Sequence, residues 1–223
     1  MIEHDILSSG SQGNAVVVNK EILIDCGVPI KSLNKYVKSL RLVLLTHVHS
    51  DHFNPATIKY LSRERPSLRF VGGYWLYKRL HKCGVSSWAL DFLDYGETAV
   101  FNSGSHLAKP GYEITMIPAK HDVLNCGYAV VLPSGEKLFY MTDTSTMDGI
   151  VAKNYDLYML EANYAESTMS ERIAADMAAG QYQRHWRVVH THLAEETALD
   201  WLYRNMGSNS QYILMHAHEN ITC

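Results

Sequence analysis

The apolar positions of this chain change period repeatedly, and the changes mark out its elements. Ile2 to Leu7, Ala15 to Val18 and Ile22 to Ile24 are short runs with β-branched residues, divided by Ser8-Ser9-Gly10-Ser11-Gln12-Gly13-Asn14 and by Asn19-Lys20, which predicts a meander of strands. Pro29 then opens a stretch in which Ile30, Leu33, Val37 and Leu40 recur at helical steps. Leu42-Val43-Leu44-Leu45 has no polar break and is too short for a helix, so it predicts a strand covered on both faces that ends at Thr46-His47. A helix over Thr57 to Arg65 stopped by Pro66, a strand over Leu68 to Val71 ended by Gly72-Gly73, and an amphipathic helix over Tyr74 to Cys83 follow.

The second half restarts with strands: Glu113 to Ile117, Cys126 to Leu132, Lys137 to Met141 and Leu157 to Leu160, with Pro133-Ser134-Gly135-Glu136 as the turn of the middle pair. Ser170 to Ala179 and Ala194 to Met206 predict helices closed by Gly180 and Gly207, with a strand over Trp186 to Val189 between them and a last strand over Tyr212 to Met215. Strands then helices, twice over, predict an α/β fold of two sheets packed face to face with helices on their outer faces. No repeat or linker breaks the pattern, so residues 1–223 read as one domain.

Composition narrows the function. The 223 residues are 47% hydrophobic and 19% charged, which excludes a disordered or fibrous chain. With 20 Lys+Arg against 23 Asp+Glu and a formal charge of −3, there is no excess of positive charge to hold a long polyanion, so a small substrate is favoured over a large nucleic-acid footprint. Cys26, Cys83, Cys126 and Cys223 are widely spaced and read as free thiols of a reducing compartment. The acidic start and the lack of a long apolar stretch predict a cytoplasmic protein with no membrane partner. Twelve histidines are the outlier.

Their chemistry concentrates in Thr46-His47-Val48-His49-Ser50-Asp51-His52, directly after the buried strand. Three imidazoles and a carboxylate cannot all serve packing, because each buried imidazole carries a donor and an acceptor that need partners. A loop at the end of a rigid strand can aim His47 and His49 one way and Asp51 and His52 the other, which suits two adjacent metal ions with nitrogen and oxygen ligands: Zn, Mn or Fe.

This segment resembles the HxHxDH signature of the metallo-β-lactamase fold superfamily without a departure, and the resemblance runs over nearly the whole chain. Ser8 to Asn14 looks like the first hairpin of the superfamily's phosphodiesterase branch, and Leu23-Ile24-Asp25-Cys26-Gly27 like its second-strand motif. The resemblance implies a metallo-β-lactamase αββα sandwich. It also implies that Asp25 braces a metal-binding histidine, that one metal takes His47, His49 and His121, that the other takes Asp51, His52 and His216, and that Asp143 spans both. His216-Ala217-His218 departs from the His-Leu-Ser or His-Phe-Ser of many relatives and leaves His218 as the alternative last ligand. Two divalent metals, zinc foremost, would share a hydroxide of lowered pKa, with Asp51 both a ligand and part of the catalytic set. His192-Leu193 is similar to the element with which ribonuclease Z and related exonucleases contact the scissile phosphate, and Glu161 matches an acidic position that supports that histidine. Thr191 can cap the helix holding Glu195 and Glu196, which places His192 in a first turn whose dipole disfavours a charged imidazole.

A secreted class-B β-lactamase fits poorly, since the place where such enzymes often carry a Cys ligand holds Asp143. A glyoxalase II would use similar ligands but not the Asn14 hairpin or the His192 element. Only Thr144 to Asp156 separates Asp143 from the next strand, where ribonuclease Z inserts an arm for tRNA. The expected substrate is therefore a small phosphodiester, foremost a 3′,5′-cyclic nucleotide as for the phage anti-Pycsar enzymes, in a bacterial or phage-infected cell. A nuclease resembling ribonuclease Z or the YycJ group is the alternative, and a non-catalytic metal-stabilised nucleotide-binding module a remote one. The branch, and the aromatic-rich Tyr74-Trp75-Leu76-Tyr77, lead to an expected homodimer.

Overall fold

The opening meander forms as the pattern predicts: β1 (His4–Ser8), β2 (Ala15–Val18) and β3 (Ile22–Ile24) pair antiparallel. The direction then switches, because β4 (Leu42–Leu44) and β5 (Arg69–Gly72) return through crossover connections and pair parallel, Ile24 opposite Leu44 and Leu44 opposite Val71. The computed structural model describes residues 1–102, 111–180 and 184–216. They fall into two compact units, Met1–Val100 and Phe101–Cys223.

In the first unit β6 (Leu90–Phe92) extends the parallel run, giving a six-stranded sheet in the order β1-β2-β3-β4-β5-β6. Helix α1 (Pro55–Glu64) starts two residues earlier than its apolar period suggests, because Asn54 accepts from the amides of Ala56 and Thr57 and Pro55 tolerates the first helical position. It buries Ile58 and Leu61 in a core with Val43, Phe70 and Leu80, the last on the short α2 (Tyr77–Lys82). The expected helix from Pro29 to Leu40 is only a 3-10 turn, Ile30–Leu33, followed by further turns. Its apolar residues still reach the core through Leu33, Tyr36 and Leu40, but Pro29 supplies no side-chain cap and Ser39 Oγ donates to the carbonyls of Lys20 and Tyr36. Such side-chain bonds compete with a continuous helical ladder.

The second sheet has the order β12-β11-β10-β9-β8-β7, with β7 (Thr98–Phe101), at the division between units, as its edge. β8 (Tyr112–Ala119), β9 (Asn125–Val131) and β10 (Lys137–Met141) are antiparallel. β11 (Leu157–Glu161) and β12 (Gln211–Met215) continue it in parallel. Two helices, α3 (Glu166–Ala178) and α4 (Arg184–Thr191), follow β11. Then α5 (Glu195–Asn205) lays Ala198, Trp201 and Leu202 against Phe139, Tyr158 and Leu160. Trp201 is fixed at both ends, its ring 5.2 Å from that of Phe139 and its Nε1 donating to the Ile150 carbonyl.

Helix α4 overturns the strand expected at Trp186–Val189. Val188 and Val189 look β-like locally, but β11 already pairs with β10 and β12, and the contacts that form are helical ones. The Trp186 and His190 rings meet at 4.3 Å, tilted by 40°, one turn apart, and Thr191 Oγ1 donates to the Arg187 carbonyl. Thr191 therefore closes α4 and does not cap α5, whose first turn has Ala194 at its cap and no side-chain cap bond.

Candidate functional site

The first unit assembles its polar cluster where three backbone segments meet. The Thr46–His52 loop leaves the C-terminal end of β4, and its backbone is laced to the earlier motifs: the Asn14 amide donates to the Asp51 carbonyl at 2.6 Å, and the Cys26 amide to the His52 carbonyl at 2.9 Å. Gly27 sits in the crossing. A Cβ there would lie 1.7 Å from the Asp51 carbonyl oxygen, so only glycine lets the loop approach this closely.

Asp25, fully buried, is the hub. It accepts from the Thr46 amide and hydroxyl at 2.9 Å, and His52 Nδ1–H donates to its Oδ2 at 2.7 Å. That bond fixes the His52 tautomer and leaves Nε2 with a lone pair, the form in which imidazole binds a metal. Nε2 accepts from the Asn14 side-chain Nδ2 at 2.8 Å and stands 3.6 Å from Asp51 Oδ2. His47 Nε2 lies 3.1 Å from His49 Nδ1. Trp75, which the aromatic pattern singled out only for its apolar area, donates from Nε1 to the Thr46 carbonyl at 3.3 Å.

The second unit draws its polar groups from separate strand ends. His121 follows β8, and its Nδ1–H donates to the Thr191 carbonyl at 2.9 Å. Burial pushes its pKa below the ordinary imidazole value against the pull of Asp143, which favours the neutral, ligating form. Asp143, 2% exposed, follows β10, with its carbonyl held by Asn125 Nδ2 at 2.6 Å. Glu161 ends β11 fully buried, accepts from the Thr144 amide at 2.7 Å, and takes the His192 Nδ1–H at 2.6 Å. His216 follows β12, with Nδ1 3.3 Å from both Asp143 Oδ1 and Glu161 Oε1 and with Asn163 Nδ2 donating to its carbonyl at 3.1 Å. His218 lies outside the described residues.

Asp25, Asp143 and His216 each adopt left-handed backbone, φ 58°, 53° and 58°. Non-glycine residues pay for that conformation, and such strain gathers where side-chain direction matters more than backbone comfort. Here it turns each side chain out of the strand line at a strand end.

His192 departs from its expected setting. Its amide donates to the Val188 carbonyl, so it trails α4 and does not open α5. Burial lowers its pKa, but the hydrogen bonds and charges of Asp143 and Glu161 outweigh that and raise it to about 9. The expected suppression of charge by a helix start is therefore reversed.

Asp143, Glu161, His192 and His216 each offer one ligand atom, all within 4.8 Å of one another. Oxygen and imidazole donors at that spacing fit a divalent ion such as zinc, whose bonds run about 2.0–2.2 Å. Asn125, Asn163 and Thr144, which position these groups, escaped the sequence reading; their signal was a polar residue beside an apolar strand.

The model of the family described as "Beta-lactamase superfamily domain" matches residues 20–217. The chain is 24% identical over 233 residues to the exodeoxyribonuclease WalJ of Streptococcus pneumoniae, covering 96% of this chain and 80% of that one. Among solved structures, the metallo-β-lactamase fold protein YhfI of Bacillus subtilis superposes with a TM-score of 0.70 at 16% identity, covering 99% of this chain and 88% of that one. A diphosphatase of the PhnP family does so with a TM-score of 0.63 at 14% identity, covering 97% and 87%. The family match spans most of the chain and the structural likeness gives the α/β metallo-β-lactamase fold, so this chain belongs to the beta-lactamase superfamily.

Proposed function

We propose that this chain is a metal-dependent phosphodiesterase of small phosphodiesters, a 3′,5′-cyclic nucleotide foremost. The observation that carries the reading is the Glu161–His192 pair. A buried carboxylate 2.6 Å from Nδ1 orients the ring and keeps its proton, as a group that protonates a leaving alkoxide requires. Two metals, zinc first and Mn or Fe next, would be held by His47, His49 and His121 and by Asp51, His52 and His216, with Asp143 ligating both. When bound they supply Lewis acidity and a water of lowered pKa. Asp25 holds His52 in its ligating tautomer. His192 Nε2 delivers the proton to the departing oxygen while Glu161 balances the imidazolium charge.

A second reading, hydrolysis of DNA ends, is favoured by the likeness to an exodeoxyribonuclease over 96% of the chain. A net charge of −3 and the short Thr144–Asp156 connection favour the smaller substrate. Among the described residues no helix is long and apolar enough to cross a membrane, and a cytoplasmic setting belongs to this reading. So does a homodimer, through the face where Tyr74 is 69% exposed although it stacks on Tyr77; a 25 kDa particle in light scattering would refute it.

The test is turnover by purified metal-loaded protein of a cyclic-nucleotide panel, a bis-aryl phosphate, and labelled single-stranded DNA and RNA, each with and without chelator. Chelator-sensitive hydrolysis of the small diesters is expected to exceed that of the strands. Efficient DNA trimming with inert cyclic nucleotides reverses the order, and chelator-resistant activity removes the metal reading altogether.

A further inference from the structure

A cavity of about 360 Å³ lies in the first unit, at the end of the sheet opposite the histidine loop. The loop leaves the C-terminal end of β4. The cavity is built instead around the entry to β5, which runs parallel to β4, with Arg65, Pro66 and Leu68 before that strand and Phe70 in it. Its volume is within the ~300–1,000 Å³ of small-molecule sites.

The walls divide into two chemistries. The floor is apolar, formed by Leu68, Phe70, Ala89 and the buried thiol of Cys83. Trp88, 57% exposed on a 3-10 turn, offers an indole beside it. The rim carries Lys59, Arg63 and Arg65 and no carboxylate among the lining residues. The two arginines have other work: Arg63 pairs with Glu64 at 2.9 Å, and Arg65 donates to the Val37 carbonyl. Both also sit at the carbonyl end of α1, where cations are favoured without any ligand. Lys59 does not share that explanation. It is more than a turn inside α1, and among the described residues no ion pair or hydrogen bond is made by its ammonium. Nor does packing explain a tryptophan left mostly in solvent next to an apolar floor. Ser62 Oγ donates to the Gly84 carbonyl at 3.1 Å, which ties α1 to the end of α2 and keeps the two walls together.

We propose that this cavity binds an aromatic anion of nucleotide size, a nucleoside monophosphate by class, with the ring against Trp88 and the anionic group at Lys59. Stacking on an exposed indole tolerates any base, and a point charge suits a phosphate, so the two halves recognise two ends of one molecule. The site is separate from the candidate metal ligands and independent of the phosphodiesterase reading.

Calorimetric titration of metal-loaded protein with adenosine and thymidine 5′-monophosphates tests this, with inorganic phosphate and the uncharged nucleosides as comparators. Saturable nucleotide binding is expected, tighter than either comparator. Lys59→Glu and Trp88→Ala should each weaken it by about ten-fold or more, the equivalent of one stacked ring or one lost charge contact. Trp88→Phe should keep most of it. Metal content and phosphodiester hydrolysis should stay at wild-type level in all three variants, which reports that they fold. Binding that survives both Lys59→Glu and Trp88→Ala belongs elsewhere and overturns the proposal, as does the absence of saturable binding. Phosphate that binds as tightly as the nucleotide removes the aromatic half and overturns the ligand class.

Discussion

The two units gather their polar groups in opposite ways. The first places four donor side chains within six residues, His47 to His52, on one loop. The second collects His121, Asp143, Glu161, His192 and His216 from β8, β10, β11, the end of α4 and β12. The loop is gripped largely by backbone, through the Asn14 and Cys26 amides and the space left by Gly27, around the buried Asp25 carboxylate. The strand ends are gripped mainly by side chains, through Asn125, Glu161 and Asn163, with the Thr144 backbone amide donating to Glu161. A contiguous motif needs only a turn to bring its donors together, whereas dispersed donors need a sheet of fixed register and a polar side chain to pin each one.

The contrast can be broken most sharply by removing one donor from each unit. His49→Ala and Asp143→Ala should each lose metal while keeping the fold, with hydrolysis falling by more than the ~10⁴-fold upper limit of a single proton donor. Metal analysis beside rate measurement decides it, and full activity of Asp143→Ala would sink the assignment.

His192→Ala comes next. It should retain metal and reduce kcat by about 10²–10⁴-fold on a ribose alkoxide leaving group, but far less on a nitrophenolate that needs no proton. A metal deficit would make His192 a ligand, for which its place within 4.8 Å of Asp143, Glu161 and His216 is suitable.

Smaller effects compare the two kinds of grip. Gly27→Ala, whose Cβ would overlap the Asp51 carbonyl, should cost about 3 kcal/mol in urea denaturation. Asp25→Asn should weaken metal binding by about 10–100-fold in a competition titration, because His52 loses the acceptor that sets its tautomer. Asn163→Ala, which removes the donor to the His216 carbonyl, should cost only about 1–2 kcal/mol. If Asn163→Ala proves as damaging as Gly27→Ala, the difference between backbone and side-chain grip is smaller than the structure implies.

Most of the framework was legible in the chain. The β-branched meander, the unbroken Leu42-Val43-Leu44 run and the amphipathic period of α5 all form where the pattern puts them. Two errors share a cause. The Pro29–Leu40 stretch has helical spacing and the Trp186–Val189 stretch has β-branched residues, yet one folds as turns and the other as a helix. Spacing and propensity are weak preferences of about a kilocalorie per mole or less per residue, and caps or a missing strand partner override them.

The histidine-rich motif from His47 to His52 stands in the chain for any reading to find, whereas His121, Asp143 and His216 were expected only through the family resemblance, because a lone polar residue after an apolar run is ordinarily a turn residue. What only the tertiary structure decided was their chemical state. The sequence placed His192 at a helix start that would keep it neutral, and the fold placed it between Glu161 and Asp143, which raise its pKa to about 9. A residue's local neighbours in the chain set its backbone, but a pKa, a tautomer or a strained φ depends on charges and contacts delivered by elements far away in sequence. Electrostatic energy follows distance in space, and only the folded chain fixes that distance.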